Sequence, residues 1–327
     1  MKPQVSVAIP AYNSAPYIDA CLNSVLSQDV ADLEVVVVDD ASTDDTLEHL
    51  IAYARRDSRI KLFRHEKNLG LAATYDDALA EADGKYIALM DNDDYFSPGY
   101  LSLLLKMITG QRADVVQMGY RTFADDNGGE KTIARWRNTD QPLFVDASLE
   151  HRIALFISLK LHIAPWGKLY RADFIKSKKL KFYDAPLVPD LLFFYQSLLA
   201  AKRYLVLPET LYNYRLRYDS ASHIKRFPEQ TREYFAAMVK QMDHLAAWLK
   251  ESGMFNDDRL AYWQVIDGFM AHYKLFFARH VQENGVDNVL SVLDELADET
   301  FNGQSAAFQS AFRAMIMNYR AVLFGCR

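Results

Sequence analysis

Only two cysteines, Cys21 and Cys326, occur in the 327 residues, almost the whole chain apart, so no disulfide framework is expected and a reducing cytoplasm fits best. No apolar run approaches the roughly 20 residues of a membrane span. Met1, Lys2 and Pro3 lead straight into a strand pattern, without the apolar core of a signal peptide. The expectation is a cytoplasmic protein, soluble or peripheral on the inner face of the membrane. Positive charge is not in excess either: 37 Lys and Arg against 43 Asp and Glu leave a net charge of −6, which argues against a nucleic-acid partner held through its phosphates. Internal repeats and low-complexity segments are absent. No glycine-rich loop follows the first predicted strand, so phosphate cradles of the Rossmann and P-loop type are excluded.

What remains is a globular composition, 50% hydrophobic and 24% charged, in a chain long enough for two or three domain-sized pieces. Val5 to Ile9 reads as a strand stopped by Pro10. Ser14 and Pro16 then open a helix with Ile18, Leu22, Val25 and Leu26 on one face. Val35-Val36-Val37-Val38 has the unbroken β-branched character of a strand buried on both faces. Ser42 with Asp45 predicts a capping-box start for the helix carrying Leu47, Leu50, Ile51 and Ala54. A third strand at Ile60 to Phe63, a turn at Asn68-Leu69-Gly70, a helix to about Ala82 ended by Gly84, and a strand from Tyr86 to Met90 complete the series. Strands alternating with helices call for a mostly parallel, doubly wound α/β sheet whose ligands bind at the carboxyl ends of the strands.

At that edge lies Asp91-Asn92-Asp93-Asp94, just before a helix-start signal at Ser97-Pro98. Two carboxylates one residue apart suit Mg²⁺ or Mn²⁺, which take one or two protein carboxylates and fill the shell with phosphate and water. The plain alternative is an acidic turn that ends a strand and caps the next helix. An EF-hand is excluded, because Phe96 and Ser102 stand where that loop needs Gly and Glu. Past the strand at Ala113 to Met118, Asp125 to Gly129 reads as a hairpin or loop. Trp166, Tyr170, Tyr183, Tyr195, Tyr212 and Tyr214 then offer rings either for the core or for a sugar. From about Pro228 the pattern is helical. Phe235, Met238, Met242, Leu245 and Leu249 form a face for packing on the rest of the chain or for self-association into a homo-oligomer. Phe308, Phe312, Met315 and Tyr319 with Arg313 and Arg320 make a face that also suits an anionic membrane.

In combination, Pro10-Ala11-Tyr12-Asn13, Val37-Val38-Asp39-Asp40-Ala41-Ser42-Thr43-Asp44, Asn68-Leu69-Gly70 and Asp91-Asn92-Asp93-Asp94 resemble the inverting GT-A glycosyltransferases of family 2. The resemblance covers residues 4 to 120 closely and extends more loosely to about 222. It implies a GT-A, Rossmann-like fold in two halves, 1–120 for the nucleotide sugar and 121–225 for the acceptor, followed by a helical extension at 226–327. By matching motif it places Pro10, Ala11, Tyr12, Asn13 and Asp40 at the nucleotide base, preferably uracil. Asp91 and Asn92 fall at the ribose and diphosphate, and Asp93, with Asp91, at Mn²⁺ or Mg²⁺. Trp166-Gly167-Lys168-Leu169-Tyr170 resembles the family's Trp-x-Lys-Leu-Tyr segment, implying acceptor binding by Trp166. Pro189-Asp190 falls at the family's Glu-Asp, implying Asp190 as catalytic base; its alternative is a helix N-cap.

The implied chemistry is transfer of a sugar from a nucleotide diphosphate to a glycan hydroxyl in surface polysaccharide assembly, with that donor and glycan acceptor as the partners. One departure stands out: where the family has an arginine on the helix after Asn-x-Gly, this chain has Thr74-Tyr75-Asp76-Asp77-Ala78. Tyr75, or a cation among Arg215, Arg217 and Lys225, then has to replace it, and His223 is a further candidate near the diphosphate. The departure leaves a rival reading, a catalytically silent nucleotide-sugar sensor or scaffold. A sugar-nucleotide pyrophosphorylase would need a glycine-rich basic loop that Pro10 to Ser14 lacks.

Overall fold

The computed structural model describes residues 2–126, 129–145, 148–158, 161–183, 189–217, 228–255, 257–258 and 260–271. The first half alternates as expected: β1 (Val5–Ala11), α1 (Ile18–Leu26), β2 (Leu33–Asp39), α2 (Thr46–Arg56), β3 (Ile60–Arg64), α3 (Leu71–Glu81) and β4 (Tyr86–Leu89). Then come β5 (Tyr95–Phe96), α4 (Tyr100–Gln111), β6 (Val115–Gln117), β7 (Tyr120–Asp126), β8 (Gly129–Trp136), β9 (Leu143–Val145) and α5 (Leu149–Ile157). The described chain continues through β10 (Lys168–Arg171), α6 (Ala172–Ser177), α7 (Pro189–Ala200), β11 (Tyr204–Val206), β12 (Tyr212–Arg215) and α8 (Pro228–Ser252). A last helical stretch runs over 260–271.

The main sheet has eight strands in the order β3-β2-β1-β4-β10-β6-β11-β9. β1 to β4 pair in parallel, and β10 enters antiparallel between β4 and β6. Alternate side chains of the strands feed two cores, as the period of two requires. Val5, Val7, Ile9, Val35 and Val37 meet α1 and α4. Ala8, Val36, Val38, Ile87 and Leu89 meet α3, α7 and α8. The valine run is fully buried on both faces, each side chain contributing about 1.5–3 kcal/mol. A second sheet, β5-β12-β7-β8, stands at the carboxyl edge and is not predicted by the helix–strand alternation; the hairpin read at Asp125 to Gly129 joins its β7 and β8.

Three local expectations are corrected. Pro10 does not stop β1, which pairs with β2 through Ala11↔Asp39. Odd residues face β2 here, since the Ala11 carbonyl accepts from Asp40 N–H, so the missing Pro10 donor falls on the β4 side, where pairing has already ended at Ala8↔Leu89. Ser14 does not cap α1: its hydroxyl is buried without a partner, and Tyr17 is the N-cap. Ser42 does not open α2, which starts four residues later; its hydroxyl accepts instead from Asn13 N–H.

Candidate active site

The loops after β1 and β2 are stapled to each other. Asn13 N–H reaches Ser42 Oγ (3.1 Å), Ser14 N–H reaches Thr46 Oγ1 (2.7 Å), and Thr43 N–H donates to Asn13 Oδ1 (2.8 Å). Asn13 and Ala41 hold positive φ, 46° and 58°, a conformation a non-glycine residue keeps only where surrounding bonds enforce it. Asp40, 3% exposed, collects Leu69 N–H (2.7 Å) and His65 Nδ1 (2.7 Å) on one oxygen and Gly70 N–H (2.9 Å) on the other. Gly70 has φ 88°, which is why glycine stands there. His65 also bonds Asp77 (2.9 Å); these two carboxylates raise its pKa against the opposing effect of burial. Asp40 therefore orders the 65–70 turn. Tyr12 beside it leaves its ring 44% exposed, and Ala11 is buried in the strand.

The Asp91 turn is built from four elements. Asp91, Asp93 and Asp94 offer carboxylate oxygens within 4.8 Å of one another. Asp94 is fully buried and spent: it accepts from Tyr212 Oη (2.6 Å) and Arg215 N–H (2.8 Å). Asp91 Oδ1 accepts from Tyr75 Oη (2.5 Å), and Trp166 lies close enough to this carboxylate to lower its pKa. Asp93 pairs with Arg217 Nε (3.0 Å), while its carbonyl accepts from Arg215 Nε (2.8 Å). Asn92 donates to the Pro10 carbonyl (2.8 Å), tying the turn to the end of β1. Burial pushes the Asp91 carboxyl up to about 7, Asp93 and Asp190 acting in the same direction and the Tyr75 bond and the nearby Trp166 opposing.

Asp190 sits in the first turn of α7, half-buried, and its charge reaches Asp91, Tyr75 and Lys168. Burial raises its pKa, against a bond from its own backbone N–H and the charge of Lys168. Lys168, wholly buried, donates to the His162 carbonyl (3.0 Å) and to Ala164 O, fixing the loop that carries Trp166. Trp166 is only 6% exposed, stacked on Tyr212 at 4.5 Å and on His162 at 5.2 Å. Its ring is thus covered, beside the Asp91 carboxylate. Tyr170, Tyr195 and Tyr212 are core, and Tyr183 and Tyr214 half-buried. Arg215 lies against the Tyr17 and Phe123 rings; Lys225 and His223 lie outside the described residues.

The donor set is all carboxylate oxygen, hard, and half open. Asp91 and Asp93 fit a Mg²⁺ or Mn²⁺ ion, whereas Asp94 is fully buried and each of its oxygens already accepts a bond, from Tyr212 or Arg215.

A family model described as glycosyl transferase family 2 matches residues 6–170, half of the chain. The chain belongs to glycosyl transferase family 2. This family 2 glycosyltransferase is 29% identical over 262 residues to the putative glycosyltransferase EpsH of Bacillus subtilis (strain 168), spanning 79% of this chain and 72% of that one. It is 37% identical over 152 residues to the putative teichuronic acid biosynthesis glycosyltransferase TuaG of the same organism, spanning 46% of this chain and 59% of the other. Among solved structures, S. aureus TarS 1–349 in complex with UDP-GlcNAc superposes with a TM-score of 0.70 at 24% identity, covering 91% of this chain and 80% of that chain. The fold is thus the GT-A fold, with the acid turn at the carboxyl edge of its sheet. In this family 2 enzyme Tyr75 bonds the Asp91 carboxylate beside which Trp166 lies. The structure brings Asp91, Asp93 and Asp190 near one another, while sequence reading did not foresee the Asp40–His65 turn or the Tyr212 clamp. The Tyr-Asn-Tyr-Arg motif at 212–215 was the available signal for the second of these.

Proposed function

We propose that this glycosyltransferase moves a sugar, with inversion, from a UDP-sugar to a hydroxyl of a glycan acceptor in surface polysaccharide assembly. The observation that carries the reading is the convergence of Asp91, Asp93 and Asp190 at one sheet edge, beside the exposed ring of Tyr12. Support for the uridine donor comes from the likeness to TarS, which was solved with UDP-GlcNAc, and for the glycan acceptor from the likeness to TuaG.

Tyr12 stacks on the base, with Pro10, Ala11 and Asn13 shaping its loop, and Asp40 accepts from the base through its less occupied oxygen. Asp91 and Asp93 would hold a divalent cation, which would supply stabilisation of the charge leaving on the diphosphate. Asn92 fixes the turn beside the ribose. Tyr75 and Arg217 take over the place of the family's missing arginine, the first by orienting Asp91 and the second by bringing positive charge to Asp93. Asp190 removes the proton of the acceptor hydroxyl as its oxygen attacks the anomeric carbon from the face opposite the departing phosphate. An environment that raises the pKa of Asp190 makes it a better base for that step.

Two measurements test this. In a thermal-shift panel of UDP, GDP, dTDP and CDP with Mn²⁺, Mg²⁺ or EDTA, UDP with metal is expected to stabilise the wild type and not Asp93→Ala. Asp190→Asn is expected to keep that shift and lose about 10²–10⁴-fold in turnover. Wild-type turnover in Asp190→Asn removes the base assignment; nucleotide binding without any turnover in the wild type favours the silent sensor.

A further inference from the structure

The second sheet carries an aromatic row that the donor site does not use. In register across its four strands stand Phe96 on β5, Tyr212 on β12, Tyr120 on β7 and Trp136 on β8. Exposure rises along the row, from 3% and 0% at Phe96 and Tyr212, through the half-buried Tyr120, to 45% at Trp136. The buried end is tied to the acid turn, because Tyr212 donates to Asp94 and stacks on Trp166. Tyr120 meets Trp166 edge-on at 5.0 Å and lies nearly parallel to Trp136 at 6.2 Å and 11°. Those two steps keep the Trp136 ring within about 11 Å of Trp166.

Trp136 is thus an indole that lies nearly parallel to Tyr120 and is 45% exposed, a short distance from the reaction edge. Core packing does not require an exposed tryptophan, and a solvated edge strand does not favour one. β8 is exposed along its whole length, yet Glu130, Lys131 and Arg135 line it with charge, which disfavours the addition of a strand from a second copy. Arg135, on the opposite face of β8, reaches Thr210 Oγ1 (3.2 Å) and leaves the Trp136 face to the aromatic row. A flat, partly exposed π face is the chemistry that recognises a pyranose, whose C–H face is apolar and whose hydroxyls point outward.

We propose that Trp136 is a stacking platform for a sugar residue of the acceptor chain, upstream of the hydroxyl that receives the transferred sugar. The inference rests on the glycosyltransferase reading of the Asp91 site given above. It moves acceptor recognition from the covered Trp166 to the open end of the same aromatic row.

The test uses the full chain without nucleotide, with cellotetraose, chitotetraose and maltotetraose as probes in saturation-transfer NMR and titration. At least one tetraose is expected to receive saturation from the wild type. Trp136→Ala is expected to weaken that binding on the order of tenfold, and Trp136→Phe by less, because a smaller ring remains. The UDP-dependent thermal shift is measured in parallel and is expected to be the same in all three proteins, which also reports that they are folded. Equal sugar binding by Trp136→Ala overturns the proposal, as does a wild type that binds none of the three probes. A change of oligomeric state in Trp136→Ala overturns it too, by assigning the ring to contact between copies. Sugar binding that survives alongside a missing UDP shift in the wild type counts against the donor-site reading alone.

Discussion

Asp76 lies one residue from Tyr75, on the flank of α3 that turns toward the loop before α7, and its Oδ1 accepts from Phe182 N–H at 2.9 Å. Burial pushes its carboxyl up to about 6, against that bond and the nearby Lys181. A folded-state pKa above the unfolded value means that the native state holds the proton longer. Stability therefore falls as pH rises from about 4 to about 6, and the cost is complete above that window. Asp76→Asn keeps the acceptor oxygen and removes the charge. It is expected to raise stability at pH 8 by about 2–3 kcal/mol and to change little at pH 4, which unfolding curves at the two pH values will show. Such a carboxyl reads in the sequence as an ordinary exposed helix residue, since Phe182 approaches only in the folded chain. The Asp91 and Asp93 pair is different: its spacing and its place after an apolar run are local facts, so its position at the end of β4 was legible.

Among the elements, β4 and the turn before it depend on a close approach. A Cβ on Gly84 would stand 2.5 Å from Ser6 N and 2.6 Å from Ser6 Oγ, and Gly84 N–H donates to that hydroxyl (2.8 Å). Ser6 in turn bonds Glu34, which also accepts from Asp83 N–H (3.0 Å) and pairs with Lys61 (2.5 Å). The residue is therefore needed for contact with β1, a reason that reading it as a helix stop did not contain. Gly84→Ala is expected to cost about 1–3 kcal/mol, seen as a lower urea midpoint at unchanged m-value. The β-α alternation itself was readable because each helix and strand is written in its own periodicity. The second sheet was not, because β5 and β12 are too short to leave a pattern and meet across more than a hundred residues.

For the molecule as a whole, α8 closes the core beneath α7. Met242, Leu245, Trp248 and Leu249 are buried in the same cluster as α3 and α7, and Trp248 Nε1 donates to the Lys178 carbonyl at 2.7 Å. Met242, Leu245 and Leu249 of the face read from the heptad spacing thus pack within the chain. Phe235 and Met238 on the same face, and Phe308, Phe312, Met315 and Tyr319 near the terminus, lie outside the described side chains. Among the described residues no helix is long and apolar enough to cross a membrane. Leu245→Ala opens a cavity far from the acid turn and is expected to cost about 2–5 kcal/mol. Thermal unfolding will report that loss, while the stabilisation by UDP and metal remains.

By itself the sequence determined the α/β alternation, the parallel half of the sheet, and the acidic residues at its carboxyl edge, because these follow from local periodicity and from what ends a strand. Tertiary structure alone decided which aromatics are walls and which is open. Trp166 and Trp136 look alike in the chain, yet one is sealed between Tyr212 and His162 and the other sits on a solvated edge. That difference comes from the register of β12, β7 and β8 and from the buried Lys168 that sets the Trp166 loop, contacts between distant segments whose geometry no local pattern encodes.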